Sequence, residues 1–502
     1  MDVTLRSLLV GSIARFGDRP AVVDADGRTL SYRDLERFGN RLARALVAAG
    51  ISPGDPVAVM MSNSVEWVVA DQGILRAGGA KVPINPMLSA SEMRYILADS
   101  GATVALVDEA LAGVARQAGV ARVIELGREW DGLLAVDAGR NSEVEVVVAP
   151  SDVALILYTG GTTGRQKGVV HCQGALALNL LAHDIEIGIL DDERMLLTAP
   201  LAHSAGFLLQ AGLLKGAFHV LAPRFEAAAV IDSVIEYAIT LLFLVPTMIY
   251  RLLDSDHRVG EVASLRTILY GAAPISPERL GQGLARFGPV FMQLYGQSEA
   301  PNFLTRLTRE DHDPAHSERL TSCGRPATLV SIAVLDDDGR PLPVGEIGEI
   351  CARAPYVMDS YRGMPEKTAE TLRGGWLHTG DIGTIDADGF VYLLDRKNDM
   401  IISGGLNIYT TEVEQAIASA GVTQVAVVGI PHPDWGEAVV AYIVADERVE
   451  NVDVASACEA SLARYKHPKA IVRVDSLPMT AVGKIDKVAL RRAWTGWAEQ
   501  VR

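Results

Sequence analysis

The sequence predicts an α/β fold, with a large N-terminal α/β domain of mostly parallel sheets followed by a small α+β domain. Strand and helix patterns alternate through the first third of the chain, and hairpin patterns follow its middle. The chain has 502 residues, of which 49% are apolar and 22% charged, as in a globular protein with a large core. At roughly 100–200 residues per domain, this length predicts two to four domains.

Strands and helices alternate over the opening third. Ser31 predicts a helix N-cap, because apolar residues follow it at helical spacing at Leu35, Leu42 and Leu46. Short apolar runs predict buried strands at 55–61, 81–82, 104–107 and 123–124. Such alternation implies crossover connections and a mostly parallel sheet that is buried on both faces.

The pattern changes after the middle of the chain. Strands are predicted at 330–335 and 345–350, and again at 383–386 and 390–394, each pair joined by a turn that contains Asp-Gly. A compact α+β unit follows, with a helix predicted at 412–420 and strands at 425–430 and 438–444. We therefore predict a domain boundary at Asp395, which gives domains 1–394 and 395–502.

Composition restricts the partners and the compartment. The chain has 46 Lys+Arg against 62 Asp+Glu, a net charge of −16, whereas a general nucleic-acid binder needs a basic surface. The N-terminus lacks the apolar core of a signal peptide, and the longest uncharged stretch, Met195 to Leu214, contains too many polar and bending residues for a membrane span. We expect a cytoplasmic protein with no nucleic-acid partner. Its four cysteines form no CxxC pair and are expected to stay reduced: Cys172, Cys323, Cys351 and Cys458.

A glycine- and threonine-rich loop follows the strand predicted at 152–158. Its four glycines allow backbone N–H groups to turn inward around an anion, three threonine hydroxyls add donors, and Lys167 adds positive charge. The loop fits neither GxxxxGK[ST] nor GxGxxG. A plain surface turn is the alternative, but ligands bind at such strand ends in open α/β sheets. The residues predicted to hold a polyphosphate here are Thr159, Gly160, Gly161, Thr162, Thr163, Gly164 and Lys167.

Five motifs in order resemble those of the acyl-adenylate-forming superfamily, and most closely its acyl-CoA synthetases. The loop resembles TSGTTGxPKG, with Gly160 in place of Ser and Gln166 in place of Pro. Residues 294–299 resemble YGxTE with Ser298 for Thr, 377–381 resemble the TGD segment, and 478–487 resemble PxTxxGKIxK. Residues 395–410 resemble the inter-domain segment, with Asn398 for a common Lys and Thr410 for a common Pro. The resemblance covers nearly the whole chain and implies a small, mobile C-terminal domain.

The resemblance implies that a carboxylate and ATP form acyl-AMP, which a thiol then attacks, with ATP, Mg²⁺ and CoA as co-substrate. It makes Lys484 the catalytic cation and Glu299 the Mg²⁺ ligand, and it adds Thr163 as a third catalytic residue. Asp381 is expected to accept hydrogen bonds from the ribose, and Arg396 to reach ribose or phosphate. Further ATP-binding residues are expected in two segments: Gly271, Ala272, Ala273 and Pro274, and Leu294, Tyr295, Gly296, Gln297 and Ser298.

The resemblance also places the acyl pocket, the acceptor channel and the hinge. The acyl pocket is expected at His203, Ser204, Phe207, Val245, Tyr270, Gly271 and Gly296. Its apolar or small walls predict a monocarboxylic acid with an aromatic, alicyclic or medium-length body. The apolar segment 243–246 offers no Asp to anchor an amine, which weighs against an amino-acid substrate. Ser403, Gly404 and Gly405 are expected at the thiol channel, and Asp395 at the hinge.

Several hypotheses about the function remain open. The protein is either an acid–CoA ligase or a ligase that passes the acyl group to an amine or to a carrier-protein thiol, and no carrier domain is expected in cis. A non-catalytic relative is disfavoured because Lys484, Glu299 and Asp381 are all present. Each also has a purely structural interpretation: Lys484 as a surface lysine, Glu299 as an exposed acid and Asp381 as a turn residue. His203 could likewise be an interior histidine. A nicotinamide dehydrogenase is excluded by the missing GxGxxG, and the oligomeric state is open, a homodimer included.

Overall fold

Two compact units make up the protein. A computed structural model describes residues 3–135, 142–159, 166–255, 262–397, 399–446, 448–480 and 484–497. The large unit comprises Met1–Ile332 and Ala352–Leu377, and the small unit comprises Ala333–Cys351 and His378–Arg502. This division by contacts does not locate a hinge, so the predicted domains 1–394 and 395–502 stay a prediction.

The strands and helices of the described residues are numbered in chain order. The strands are β1 (Pro20–Val23), β2 (Thr29–Ser31), β3 (Pro56–Met60), β4 (Ala80–Pro83), β5 (Val104–Val107), β6 (Arg122–Glu125), β7 (Val153–Thr159), β8 (Lys167–Cys172), β9 (Arg194–Leu197), β10 (Phe218–Leu221), β11 (Leu241–Leu244), β12 (Thr267–Gly271), β13 (Phe291–Gln297), β14 (Ala300–Leu307), β15 (Arg325–Pro326), β16 (Ser331–Leu335), β17 (Gly348–Arg353), β18 (Ser360–Tyr361), β19 (Leu377–Ile385), β20 (Val391–Arg396), β21 (Ile401–Ser403), β22 (Leu406–Ile408), β23 (Gln424–His432), β24 (Gly436–Val444) and β25 (Ala470–Arg473). The helices are α1 (Leu5–Ile13), α2 (Tyr32–Ala48), α3 (Val65–Ala77), α4 (Ala90–Ser100), α5 (Ala112–Gln117), α6 (Arg128–Ala135), α7 (Gln173–Ile187), α8 (Ser204–Lys215), α9 (Ala227–Tyr237), α10 (Pro246–Leu253), α11 (Pro277–Phe287), α12 (Pro365–Thr371), α13 (Thr410–Ala418), α14 (Asn451–Ser461) and α15 (Lys487–Arg492).

The described strands of the large unit form two sheets. The first has the order β15-β14-β13-β12-β11-β9-β10-β1-β2, and the second has the order β18-β8-β7-β4-β3-β5-β6. Neighbours from β1 to β13 in the first sheet are parallel, as are those from β7 to β6 in the second, while strands at the edges are antiparallel. The predicted α/β class with mostly parallel sheets is therefore confirmed.

Antiparallel pairing dominates the small unit. One sheet has the order β16-β17-β19-β20, and the other has the order β22-β21-β24-β23 with β25 beside β24. Helix α13 packs its Val413 and Ile417 into an apolar cluster with Val427 and Val439 of the second sheet. This α+β arrangement is the one predicted for the C-terminal part of the chain.

Local sequence signals account for many of these elements. The Ser31 hydroxyl accepts the Asp34 N–H, and the Asp34 carboxylate accepts the Ser31 N–H, so a reciprocal cap starts α2 as predicted. Leu35, Leu42 and Leu46 are buried on one face of that helix. The strand predicted at 104–107 is β5, and the predicted helix at 412–420 is α13, shifted by two residues. In the described part of the chain, no helix has the length and hydropathy needed to cross a bilayer.

Four of the histidines that the structure describes in the large unit are buried. Burial lowers the pKa of His171, His183, His219 and His312 to about 4 each. Their imidazoles are therefore neutral in the folded protein near pH 7, and they act as hydrogen-bond donors to backbone carbonyls of Ser298, Asn179, Ala21 and Thr308, respectively.

We predict that the stability of the large unit falls as the pH drops from about 6.5 towards 4. An unfolded histidine has a pKa of about 6.5, so the unfolded chain takes up protons over this range that the folded chain excludes. Each buried histidine then lowers the free energy of unfolding by roughly 1 kcal/mol per pH unit. Calorimetric unfolding of the full chain between about pH 7 and pH 5, above the range where carboxylates titrate, measures this fall.

Two variants provide the control. His219→Asn removes one buried imidazole and is expected to flatten the dependence of stability on pH. His316→Asn changes a side chain that is 50% exposed and is expected to leave that dependence as it is. A free energy of unfolding that stays constant from neutral to mildly acidic pH contradicts the prediction.

Candidate active site

The glycine- and threonine-rich loop is closed by a hairpin. Strands β7 and β8 are antiparallel, and Thr159 at the end of one lies opposite Lys167 at the start of the other. The hairpin therefore fixes both ends of the predicted phosphate loop at the same place. Five predicted loop residues lie outside the described residues: Gly160, Gly161, Thr162, Thr163 and Gly164.

Glu299, the predicted metal ligand, and Lys167, the predicted phosphate-binding lysine, both contact Tyr361. The Tyr361 hydroxyl donates to Glu299 Oε1 at 2.5 Å, and Lys167 Nζ lies 4.7 Å from the centroid of the Tyr361 ring. Burial, reinforced by the charge of Glu299, raises the pKa of Tyr361, so the phenol stays protonated and donates. Strand β18, which carries Tyr361, pairs with β8, and this pairing brings Tyr361 to Lys167. Tyr361 was not predicted from the sequence.

His171 holds the backbone beside Glu299. Its Nε2–H donates to the Ser298 carbonyl at 2.7 Å, and the ring is fully buried. A neutral imidazole carries the proton on one nitrogen only, and the bond to a carbonyl places that proton on Nε2. This histidine, 127 residues from Ser298, carries no motif by which the sequence could have revealed it.

Two predicted ATP-binding segments meet at the carboxyl ends of adjacent parallel strands. Gly271 is the last residue of β12 and lies opposite Leu294 in β13. A Cβ atom added at Gly271 would lie 2.4 Å from the Leu294 carbonyl oxygen, and one at Gly296 would lie 2.7 Å from the Asn302 carbonyl carbon. Both positions therefore require glycine. Ala272, with φ of +68°, turns the chain away from the strand end in the left-handed region.

The predicted acyl-pocket residues occupy several elements, and the structure gathers only some of them. His203 precedes α8, and its Nε2 lies 3.4 Å from Asn85 Nδ2. His203 and Phe207 line one cavity, and the Phe207 ring stacks on His183 at a centroid distance of 6.1 Å. The Ser204 carbonyl accepts the Asn302 side-chain N–H at 3.3 Å, and Val245 precedes α10.

Tyr270 has a different environment. Its hydroxyl donates to His312 Nε2 at 2.9 Å, and its ring packs with Phe291 in a separate apolar cluster. The structure therefore does not bring the Tyr270 side chain to the cavity that His203 and Phe207 line. The assignment of Tyr270 to the acyl pocket stays a prediction.

In the small unit, the two predicted ribose-binding residues form an ion pair. Asp381 of β19 lies opposite Arg396 of β20, and Arg396 Nε is 2.6 Å from Asp381 Oδ1. Glu349, which was not predicted, accepts the Gly380 N–H at 3.1 Å and the His378 Nδ1–H at 3.2 Å. Because Gly380 has a φ of +72°, glycine is suited to this turn, and Glu349 fixes it one residue before Asp381.

Lys484, the predicted catalytic cation, lies near this pair. Much of the residue is exposed, but burial of its ammonium group lowers the pKa to about 8, an effect that Arg396 reinforces and Asp381 opposes. The Thr480 N–H donates to the Lys484 carbonyl at 2.7 Å, so these two residues lie opposite each other. A pKa of about 8 keeps most of the lysine protonated at pH 7.

Asp395, the predicted hinge residue, accepts several hydrogen bonds. The Asp395 carboxylate accepts the Thr410 backbone N–H and, at 3.1 Å, the Thr410 hydroxyl. Lys487 Nζ donates to that hydroxyl at 2.7 Å and pairs with Glu414 at 2.8 Å. Burial raises the pKa of Asp395, and the nearby Lys487 charge opposes this rise.

The predicted acceptor loop is a tight turn between β21 and β22. Ser403 lies opposite Leu406, so Gly404 and Gly405 are the two residues of the hairpin loop, with φ of +57° and +81°. A two-residue turn with both φ values positive strongly favours glycine, because a Cβ atom is strained there.

Two models of known protein families match this chain. A family model described as AMP-binding enzyme matches residues 10–362, and a model described as AMP-binding enzyme C-terminal domain matches residues 412–484. The chain belongs to the AMP-binding enzyme family.

Relatives in the AMP-binding family align over nearly the whole chain. The medium/long-chain-fatty-acid–CoA ligase FadD8 of Mycobacterium tuberculosis is 35% identical over 97% of this chain and 90% of its own length. The feruloyl-CoA synthase of an Amycolatopsis species is 37% identical over 95% of this chain and 97% of its own. The solved structure of the amide bond synthetase McbA from Marinactinospora thermotolerans has a TM-score of 0.89 and 31% identity, covering 98% of this chain and 100% of that one.

We predict that Gly271→Ala disturbs the edge of the first sheet at which the two predicted ATP-binding segments meet. The added methyl group overlaps the Leu294 carbonyl, so β12 and β13 are forced apart at a cost of about 1–3 kcal/mol in the free energy of unfolding. ATP affinity is expected to fall with it. Denaturant unfolding and calorimetric ATP titration measure the two effects.

Gly281→Ala is the matched control. Gly281 lies within α11, and a Cβ atom added there meets nothing within 4 Å. Alanine is also the better helix former, by up to about 1 kcal/mol, so this variant is expected to keep its stability and its ATP affinity. If the two variants have the same stability and the same ATP affinity, the close contact between Gly271 and the Leu294 carbonyl does not require glycine.

Proposed function

We propose that this protein is an ATP-dependent, AMP-forming carboxylic acid–CoA ligase. It activates an apolar monocarboxylic acid, with an aromatic, alicyclic or medium-chain body, as acyl-AMP and then forms the CoA thioester. The observation that carries the proposal is the group formed by Glu299, Tyr361 and Lys167 beside the glycine- and threonine-rich loop. It combines a carboxylate for a hard cation with a positive charge for phosphate. The similarity to FadD8 and to feruloyl-CoA synthase supports CoA as the acceptor.

The Glu299 carboxylate fits a magnesium ion. Mg²⁺ favours one or two carboxylates together with phosphate oxygens and waters. Tyr361 binds Oε1 of Glu299, and within the described part of the chain no side chain donates to Oε2. When bound, Mg²⁺ would neutralise phosphate charge. Glu299 would hold it, and Lys167 would contact the phosphates.

Adenylation joins two anions, so the enzyme has to supply positive charge and orientation rather than a base. A carboxylate oxygen attacks the α-phosphorus of ATP, the new O–P bond forms, and the bond to the β-phosphate breaks with release of pyrophosphate. Lys484 supplies the cation that bridges the carboxylate and the α-phosphate. Asp381 binds the ribose hydroxyls, and Arg396, its ion-pair partner, binds ribose or phosphate.

Thioester formation is the second half-reaction. The CoA sulfur attacks the acyl carbonyl, the C–S bond forms, the bond to the phosphate oxygen breaks, and AMP leaves while the thiol proton passes to solvent. The turn at Ser403, Gly404 and Gly405 would face the thiol channel, and Asp395 would act as the hinge. The absence of side chains beyond Cα at Gly404 and Gly405 supports a close approach of the acceptor.

A second candidate acceptor is an amine or a carrier-protein thiol. The similarity to the amide bond synthetase McbA favours it, since that protein shares the fold over the whole chain. The adenylation half-reaction is the same in both cases. We also propose that the protein is cytoplasmic. Light scattering would test whether it forms a homodimer.

Mass spectrometry of the products tests the function directly. The enzyme is supplied with ATP, Mg²⁺, CoA and a pooled library of carboxylic acids. A CoA thioester is expected, and it names the acid. If acyl-AMP forms but no thioester does, the acceptor is instead an amine or a carrier-protein thiol. The absence of acyl-AMP and of pyrophosphate exchange across the library overturns the ligase.

We predict that Lys484→Ala abolishes adenylation and spares thioester formation. Loss of a group that stabilises developing charge costs roughly 10²–10³ in rate or more. Pyrophosphate exchange measures the first half-reaction, and CoA consumption from supplied acyl-AMP measures the second. Lys469→Ala changes an exposed lysine of the same unit and is expected to leave adenylation unchanged. Equal loss in both half-reactions refutes the role.

We also predict that adenylation declines as the pH rises through about 8. Lys484 loses its charge there, and kcat/KM for the acid follows the ionisation of the free enzyme. Arginine keeps its charge at this pH. The Lys484→Arg variant is expected to be less active than the wild type, but its activity is expected not to decline over the same pH range. A wild-type profile that is flat from pH 7 to about pH 9 contradicts the prediction.

A further inference from the structure

A cavity in the large unit is lined by two of the predicted acyl-pocket residues, His203 and Phe207. His203, Gly206 and Phe207 line one part of it, and Asp71, Lys81 and Gln210 line another. Its volume is about 30 Å³, which exceeds the roughly 10–15 Å³ that a water needs and is well below the roughly 150 Å³ of a cavity that binds benzene. It therefore fits a small substituent rather than a ring or a chain.

The cavity lies away from the nucleotide residues. Its lining includes none of the described residues assigned to ATP, neither Lys167 nor the segments 271–274 and 294–298. The reacting carboxylate has to approach the α-phosphate, so the end of the acid that reaches this cavity is the end remote from the carboxylate.

Asp71, Lys81 and Gln210 meet in one part of this largely apolar lining, and Gln72 Nε2 also donates to Asp71 Oδ2 at 3.3 Å. Asp71 of α3 is 2% exposed and forms an ion pair with Lys81 of β4. Gln210 of α8 donates from Nε2 to both Asp71 carboxylate oxygens, at 3.0 and 3.2 Å. A buried ion pair is costly in desolvation and often adds little stability, so its presence in a ligand pocket suggests a role in specificity.

The Lys81 ammonium group still has donors to offer. Of its three N–H groups, one binds Asp71, and the described residues supply no other hydrogen-bond acceptor for it. Its Nζ lies 4.9 Å from the Trp67 ring, whose face stabilises the charge but takes no directed N–H···O bond. The side chain is 13% exposed, so a ligand that fills the cavity also displaces the water that could satisfy these donors.

The charges of the cluster select the chemistry of the ligand. Asp71 and Lys81 sum to zero, so a second carboxylate on the acid would bring an uncompensated negative charge into a buried place. A hydrocarbon end would leave the Lys81 N–H groups without acceptors, which also costs free energy. A neutral group with an acceptor oxygen satisfies both conditions.

We propose that Lys81, held by Asp71 and Gln210, is a specificity determinant that binds a hydroxyl group at the end of the acid remote from the carboxylate. The inference rests on the proposed function, because it assigns the cavity to the acid that the enzyme activates. The substrate class is then an apolar monocarboxylic acid that carries a distal hydroxyl.

Matched acids test this directly. The probes are cinnamate and 4-hydroxycinnamate, and decanoate, 10-hydroxydecanoate and decanedioate, each assayed by pyrophosphate exchange. The wild type is expected to favour the hydroxylated member of a pair by about tenfold or more in kcat/KM, and to reject decanedioate. Lys81→Met is expected to abolish this preference, mainly by slowing the hydroxylated acid. Lys215→Met, at a partly exposed lysine at the end of α8, is expected to keep it.

Folding of the variants is controlled by a second substitution. Lys81→Met leaves Asp71 charged and buried, so the double variant Lys81→Met/Asp71→Asn removes both charges at similar volume. The double variant is also expected to lose the preference for the hydroxyl while it still activates the unsubstituted acids. Circular dichroism and thermal unfolding establish that it is folded.

The outcomes separate the two proposals. An enzyme that activates acids without preferring the hydroxylated members, that prefers decanedioate, or whose folded double variant keeps the preference overturns the role of Lys81 and leaves the ligase intact. Turnover confined to acids without a distal polar group overturns it as well. A folded wild type that forms acyl-AMP from no acid at all overturns the proposed function and this inference together.

Discussion

The parallel alignment of β11, β12 and β13 is the constraint on which the site of the large unit depends. Parallel strands bring their carboxyl ends to one edge, so the segments after β12 and within β13 meet although residues 272–290 lie between the two strands. The two strand ends approach so closely that Gly271 has no room for a side chain. Ser298 and Glu299 directly follow the last residue of β13.

Hydrogen bonds from residues distant in sequence then fix the side chains and backbone of the site. Tyr361 orients the Glu299 carboxylate, His171 holds the Ser298 carbonyl, and Glu349 secures the Gly380 turn in the small unit. Each contact satisfies a buried polar group that would otherwise cost free energy, and each orients a neighbour of a predicted functional residue. Positive charges also lie at particular places in this chain of net charge −16: Lys167 lies over the Tyr361 ring, and Arg396 lies close to Lys484. Local cations of this kind are needed because the overall charge repels an anionic substrate.

The residues around Asp395 show how one departure from a family pattern changes a local structure. Thr410 stands where related proteins commonly have proline, and its backbone N–H binds the Asp395 carboxylate. Proline has no N–H, so this bond exists only with another residue at that position. The Thr410 hydroxyl adds a second bond and receives a third from Lys487. Any rotation at Asp395 that withdraws its carboxylate has to break the first two.

The sequence by itself determined the elements and motifs that depend on neighbours in the chain. The reciprocal cap at Ser31, the strand at 104–107 and the Gly404–Gly405 turn are local, since the residues that interact lie within a few positions of one another. The motifs likewise identified Glu299, Asp381 and Lys484 as candidates, because each lies in a short recognisable segment. Only the tertiary structure decided their partners: Tyr361 lies 62 residues from Glu299, and Gln210 lies 139 residues from Asp71. It also placed Tyr270 in a core cluster rather than at the cavity beside His203. Such pairings depend on how strands and helices pack, and no local spacing in the chain encodes that packing.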